Sequence, residues 1–134
     1  MIFRRLDAAT LVAGQIRPED MIEIRAVGVA TVINNRLDCE EAGQPTAAEI
    51  EAAARAAGLD YRHIPVGGGF SIEQVEAMAE ALESGPALAF CRSGTRSTYL
   101  WALAKASRGA EAEDLALKAA MAGFDLSPIR PWLR

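Results

Sequence analysis

Histidine and cysteine are scarce: His63 stands alone, and Cys39 and Cys91 are the only thiols in 134 residues. One imidazole and two distant thiols lack the paired spacing of a zinc site. They offer at most one base, His63, for a serine triad. Two thiols also fall short of a disulfide framework, and the expectation is a cytoplasmic protein with both reduced. No apolar run reaches the roughly 18 residues of a membrane span. The opening stretch MIFRRLDAATLVAGQ is too polar for a signal peptide. A long basic run is missing as well, and the formal charge is −4, so neither a nucleic acid nor a membrane is expected as a partner. No repeat, low-complexity stretch or linker divides the chain, which reads as one domain over 1–134. A chain of this length buries about two-thirds of its unfolded surface. It is expected to fold without disulfides, metal or cofactor.

What is present is an alternation of strands and helices. Residues 2–6 and 11–13 read as short strands around a turn near 7–10. Pro18 suits the first turn of a helix running to about Val27, with Gly28 as its stop. The run ATVIN at 30–34 is a buried strand, and NRLDCEEAGQP at 35–45 is a loop. Thr46 with Glu49, and Ser71 with Gln74, are capping-box patterns that open two helices. On the second, Ile72, Val75, Met78, Ala79 and Leu82 share one face. Strands at 61–66 and 87–90, a glycine turn at 67–69, and helices over about 97–107 and 111–121 complete the order. Such alternation implies an α/β fold, a parallel-type central sheet flanked by helices on both faces. Ligands of such sheets bind beyond the carboxyl ends of the strands. Segments 14–15, 35–45, 67–70 and 91–96 are therefore expected at one rim.

The stretch PALAFCRSGTRSTYLW, residues 86–101, carries the sharpest chemical signal. A buried strand runs into Cys91, and a helix starts just past Arg96. Gly94 permits a turn closed to other residues. Loop amides, those of Ser93 and Thr95 among them, then form an anion-binding nest, to which the helix adds its positive end. Helix N-termini and nearby arginines favour thiolate over thiol, and the thiolate is the nucleophile. Arg96 offers an oxyanion a two-pronged fork. Ser97 donates to the sulfur or eases its departure, and Arg92 attracts anions. Asn35 and Arg36, which follow a buried strand, flank the anion pocket. Cys39, set among Asp38, Glu40 and Glu41, reads as a bystander.

CRSGTRS resembles the cysteine loops of protein tyrosine and dual-specificity phosphatases and of rhodaneses. Through VAGQIRPED at 12–20, TVINNRLDCEEAGQPT at 31–46, YRHIPV at 61–66 and AFCRSGTRS at 89–97, the chain resembles the phosphatase-like domain of beta-lactamase-hydrolase-like proteins. The likeness runs from about residue 3 to residue 107. It implies a protein tyrosine/dual-specificity phosphatase-like fold, with Cys91 as nucleophile and Arg96 as anion ligand. Relatives of this kind also occur fused to, or associated with, sulfur-oxidising enzymes. The resemblance therefore implies sulfane-sulfur transfer as an activity and a sulfur-oxidising enzyme as a partner.

Three departures bear on the chemistry. Tyrosine phosphatases place five residues between cysteine and arginine; here Arg92, Ser93, Gly94 and Thr95 make four. A persulfide adds one sulfur atom to the thiolate and a phosphoryl group adds four heavy atoms, so the shorter loop favours sulfur transfer. Phe90 stands where phosphatases often have histidine. Gly67 and Gly68 fill the place where dual-specificity phosphatases carry an acid, a proton donor worth about 10²–10⁴-fold. Asp38, with Glu40 and Glu41 beside it, is the candidate general acid. The leading expectation is rhodanese-type transfer. In it Cys91 takes sulfur from thiosulfate or a small persulfide and passes it to a thiophilic acceptor. The alternative is hydrolysis of a phosphomonoester through phospho-Cys91. A third reading is a non-catalytic module that binds anions or phosphorylated partners.

Overall fold

The middle of the sheet is built from segments with no polar face. In the computed structural model, which describes residues 2–133, β2 (Thr10–Ala13), β3 (Thr31–Asn34) and β5 (Ala87–Phe90) are buried at every position. β1 (Arg4–Asp7) and β4 (Asp60–His63) alternate with solvent and form the edges. The order is β1-β2-β5-β3-β4. β2, β5, β3 and β4 run parallel, while β1 pairs antiparallel with β2. The parallel-type sheet therefore holds, with one hairpin added at its edge.

Alternate side chains serve opposite layers. Leu11, Val32, Leu88 and Phe90 pack against α1 (Met21–Ala26) and α2 (Ala47–Ala56). Val12, Ile33, Ala87 and Ala89 face α3 (Ile72–Glu83), α4 (Thr95–Ser107), α5 (Ala112–Met121) and the 3-10 helix Ser127–Trp132. The small Ala87 and Ala89 leave room for α4, whose Leu100, Trp101, Ala102 and Ala104 are buried. Trp101 donates from Nε1 to Asp7 Oδ2 at 2.9 Å, so the core helix is tied to edge strand β1. No helix among the described residues is long and apolar enough to cross a membrane.

The register positions the site. Ala13, Phe90 and Asn34 lie level across β2, β5 and β3, with His63 beyond them on β4. Gly14, Cys91, Asn35 and Ile64 therefore all emerge at one edge. From β3 the chain leaves to the α2 face, and from β5 to the α4 face, so a crevice opens between these two strand ends.

Several boundaries differ from the sequence reading. The helix expected from Pro18 starts as a 3-10 turn, Pro18–Asp20, because Asp20 folds back to accept the Arg17 amide at 2.7 Å. The strand expected over 61–66 ends at His63, although Ile64 and Val66 still donate to the carbonyls of Asn34 and Asn35. Pro65 between them has no N–H to give. Helix α4 begins at Thr95, two residues before the expected start, and takes in Arg96 and Ser97.

Candidate active site

Cys91 follows β5 directly and is 1% exposed. The chain then reverses through Gly94, whose φ of +93° lies in the left-handed region. This turn aims the Gly94 amide back at Cys91, and N–H donates to Sγ at 3.1 Å. A Cβ on residue 94 would stand 3.1 Å from Phe124 Cζ and 3.6 Å from the Ala13 carbonyl oxygen. Gly14 is constrained in the same way, since a Cβ there would meet the Arg92 carbonyl oxygen at 3.0 Å. That close approach lets Gln15 N–H donate to the same carbonyl. Thr98 Oγ1 donates to the Gly94 carbonyl at 2.8 Å, fixing the first turn of α4 behind the loop.

Arg96 is set by three acceptors. Its Nη1 donates to Glu40 Oε2 and to the Val66 carbonyl, each at 2.7 Å, and Nη2 donates to Glu40 Oε1 at 2.8 Å. A guanidinium has five N–H groups. Nε–H and the second N–H on Nη2 are not used by these acceptors; they form the side edge of the fork, the edge suited to a bidentate oxyanion, and the guanidinium also hydrogen-bonds the Cys91 sulfur. The hydrogen bonds to Glu40 hold Arg96 firmly charged against the penalty of its burial, and the Cys91 sulfur contributes in the same direction. Glu40 responds in kind: the Arg96 hydrogen bonds, opposed by burial and helped by Arg36, bring its carboxyl down to about 2. Glu40 is therefore a carboxylate that orients the Arg96 guanidinium.

Arg36 lies behind this pair, 1% exposed. Its Nε donates to Glu40 Oε1, Nη1 to Gln15 Oε1 and Nη2 to Glu41 Oε1, at 2.8, 2.8 and 2.9 Å. Burial weakens its charge, but the two carboxylates more than restore it. All three nitrogens are thus engaged by protein groups, and Arg36 works as the scaffold of the loop. Asn35 is also buried; its Nδ2 donates to the Ile64 carbonyl and its Oδ1 accepts from Ser97 Oγ at 2.8 Å. The Ser97 hydroxyl thus points to Asn35 and ties α4 to the end of β3.

Segments 14–15, 35–45 and 91–96 meet through Gln15 to Arg36 and Arg92 and Glu40 to Arg96; segment 67–70 joins them at its start, where Gly67 lies against Leu37, just past the Val66 carbonyl that accepts from Arg96. Arg92 is mostly exposed, 3.7 Å from Glu41. Ser93 and Thr95 share a hydroxyl hydrogen bond at the loop surface. Asp38, the candidate acid, turns to α2, where Oδ1 accepts the Ala47 amide at 2.7 Å. His63 sits on β4, two strands from Cys91, and Nε2–H donates to the Arg36 carbonyl. Sequence reasoning missed Phe124 beneath Gly94 and the Val66 carbonyl on Arg96. Neither carries a motif, since one is a C-terminal aromatic and the other a backbone atom.

Comparison with known proteins places the chain in a family and a fold. Residues 2–108 match the family model of the beta-lactamase hydrolase-like protein, phosphatase-like domain. A beta-lactamase hydrolase-like protein of Agrobacterium fabrum is 37% identical over 135 residues, which is 96% of this chain and 31% of that protein. The chain thus spans about a third of the length of this relative. The crystal structure of a candidate phosphatase from Neisseria meningitidis superposes with a TM-score of 0.85 at 31% identity, covering 99% of this chain and 96% of that one. A kinase-associated phosphatase with its catalytic-site cysteine replaced by serine shares the fold, with a TM-score of 0.75 at 14% identity over 98% of this chain and 90% of the other. The fold is that of the protein tyrosine and dual-specificity phosphatases, and the chain belongs to the phosphatase-like domain family of the beta-lactamase hydrolase-like proteins.

Proposed function

We propose that the protein is a cysteine-dependent phosphoryl hydrolase in which Cys91 attacks phosphorus and forms a phospho-cysteine intermediate. The observation that carries this reading is the pairing around Cys91. The Gly94 amide is on its sulfur at 3.1 Å, and Arg96, held by Glu40 and the Val66 carbonyl, turns to the same sulfur. The amide steadies charge on the sulfur; the side edge of Arg96, with the N-terminus of α4, is suited to the equatorial oxygens of a phosphoryl group. Phosphatase kinship supports this chemistry over sulfur transfer, which the short loop and the missing general acid put first in the sequence.

Turnover of 4-nitrophenyl phosphate tests the proposal. Cys91→Ser should abolish it, and Arg96→Ala should lower kcat by about 10²–10³-fold, the worth of one oxyanion donor. Intact mass after rapid acid quench should show a phosphoryl adduct on wild type alone. No turnover by wild type, with phosphate binding kept in Cys91→Ser and lost only in Arg96→Ala, would instead mark a module that binds anions without catalysis.

Sulfane-sulfur transfer is the second reading, favoured by the four residues between Cys91 and Arg96. It requires a gain of one sulfur atom on wild type, absent from Cys91→Ser, after incubation with thiosulfate.

A further inference from the structure

Every carboxylate brought to the rim around Cys91 is engaged elsewhere. Glu40 uses both oxygens on Arg96 and Arg36. Glu41 has Oε1 on Arg36 and Oε2 facing Arg92. Asp38 points to the Ala47 amide. The segment after β4, which borders the site through the Val66 carbonyl, continues as Gly67, Gly68 and Gly69 and has no side chain to offer. His63, on edge strand β4, is bonded to the Arg36 carbonyl. Among the described residues, the other ionisable groups on these rim segments, besides the nucleophile, are the Cys39 thiol, which is exposed and takes no part in the Arg36–Glu40–Arg96 hydrogen bonds, and the guanidiniums of Arg36, Arg92 and Arg96, which are not acids in the range of enzyme catalysis. The Glu40 carboxyl, held down to about 2 by Arg96 first of all, has no proton to give at neutral pH. The site thus stabilises a phosphoryl group but does not protonate what leaves it.

We propose that this site takes phosphoryl compounds whose leaving group departs as a stable anion, acyl phosphates above all, and not phosphotyrosine or phosphoserine. The proposal rests on the phosphoryl reading above. In the first step the Cys91 thiolate forms an S–P bond while the P–O bond to the carboxylate breaks. The electron pair leaves with the carboxylate, which needs no proton. In the second step water attacks phosphorus, the S–P bond breaks, and the thiolate returns with release of dihydrogen phosphate. A phenol, with its pKa near 10, or an alcohol leaves as a poor anion unless it is protonated during departure. The charge balance points the same way. Glu40 and Glu41 offset two of the three arginines at the rim, leaving a site that holds a phosphoryl group without strong excess positive charge.

Single-turnover release of the leaving group separates the possibilities. Wild type is mixed in excess with acetyl phosphate, 4-nitrophenyl phosphate, phenyl phosphate or a phosphotyrosine peptide, and Cys91→Ser supplies the background. The expected result is fast Cys91-dependent release from the first two. Release from phenyl phosphate and phosphotyrosine should be slower than from the nitrophenyl ester by more than about 10²-fold. Glu40→Gln should slow 4-nitrophenyl phosphate and phenyl phosphate by the same factor, as expected of a residue that positions Arg96. Similar rates for phenyl and nitrophenyl esters would overturn the inference, because a proton donor must then be at work. A selective loss on phenyl phosphate in Glu40→Gln would identify that donor as Glu40. If wild type matches Cys91→Ser on all four compounds, the phosphoryl reading itself falls, and the inference with it.

Discussion

At the scale of single residues, Gly94 decides whether a cysteine loop exists at all. Its backbone lies at φ +93°, and the position where a Cβ would stand is 3.1 Å from Phe124 Cζ. An alanine would thus meet two penalties, a left-handed backbone and a crowded contact. The expected result for Gly94→Ala is a loss of about 1–3 kcal/mol in denaturant unfolding. A larger fall in turnover should accompany it, because the amide on Cys91 Sγ turns away with the backbone. Shrinking Phe124 to leucine in the same chain should relieve the contact but not the φ strain, so stability should recover in part and turnover hardly at all. Full recovery of both would mean that crowding, not backbone direction, is what the glycine avoids. Cys39 also has a positive φ, +63°. It is exposed on the loop that carries Glu40 to Arg96, so the strain of that loop lies beside the residue that matters.

At the scale of elements, α2 links the β3–α2 loop to the site. Its first turn is closed by a capping box in which Thr46 accepts the Glu49 amide and Glu49 accepts the Thr46 amide. Asp38 adds a further acceptor, for the Ala47 amide. Asp38→Ala should therefore cost about 1 kcal/mol of stability, the scale of a lost cap. It should leave the pH profile of turnover in place. A basic limb that disappears, with a fall of 10²-fold or more, would show Asp38 to be a proton donor after all. The capping boxes at Thr46 and Ser71 are legible in the sequence because a cap is a local pattern of four residues. So are the apolar strands TVIN and ALAF and the contiguous CRSGTRS turn. Pairing across a short turn, as between β1 and β2, is local too, but nothing in the strands announces that β5 lies between β2 and β3. Within the site, Cys91 and Arg96 sit in one short stretch and could be read together. Asp38, Glu40 and Glu41 share a loop without periodicity, and only the folded chain selects Glu40 as the partner of Arg96, 56 positions away. Arg36, expected to flank the pocket, turns inward because Gln15, Glu40 and Glu41 surround it.

At the scale of the whole molecule, the Arg36–Glu40–Arg96 chain closes the top of the sheet as a buckle does. It joins the loop after β3 to the segment after β4 and to the first turn of α4. Its pH dependence follows from the sign of the Glu40 shift. A carboxyl near 4.5 in the unfolded chain and near 2 in the folded one binds protons more readily when unfolded. Its contribution to stability is therefore fully present above about 4.5 and is lost as pH falls toward 2. Asp7, at the β1 edge, adds a loss of the same sign. Burial pushes its carboxyl up, but bonds from Trp101, Ala9 and Thr10, with Lys105 nearby, prevail and lower it. Asp125, lowered by Ser127, contributes in the same direction. The two aspartates act equally in wild type and in Glu40→Gln, so the difference between those proteins isolates the buckle. Denaturant unfolding at several pH values should show wild type more stable above pH 4.5, with the gap narrowing steadily toward pH 2. A gap that stays constant through that range would mean that the Glu40 carboxyl is not held down by Arg96 in solution. It would also remove the ground for assigning Glu40 a positioning rather than a proton-donating part.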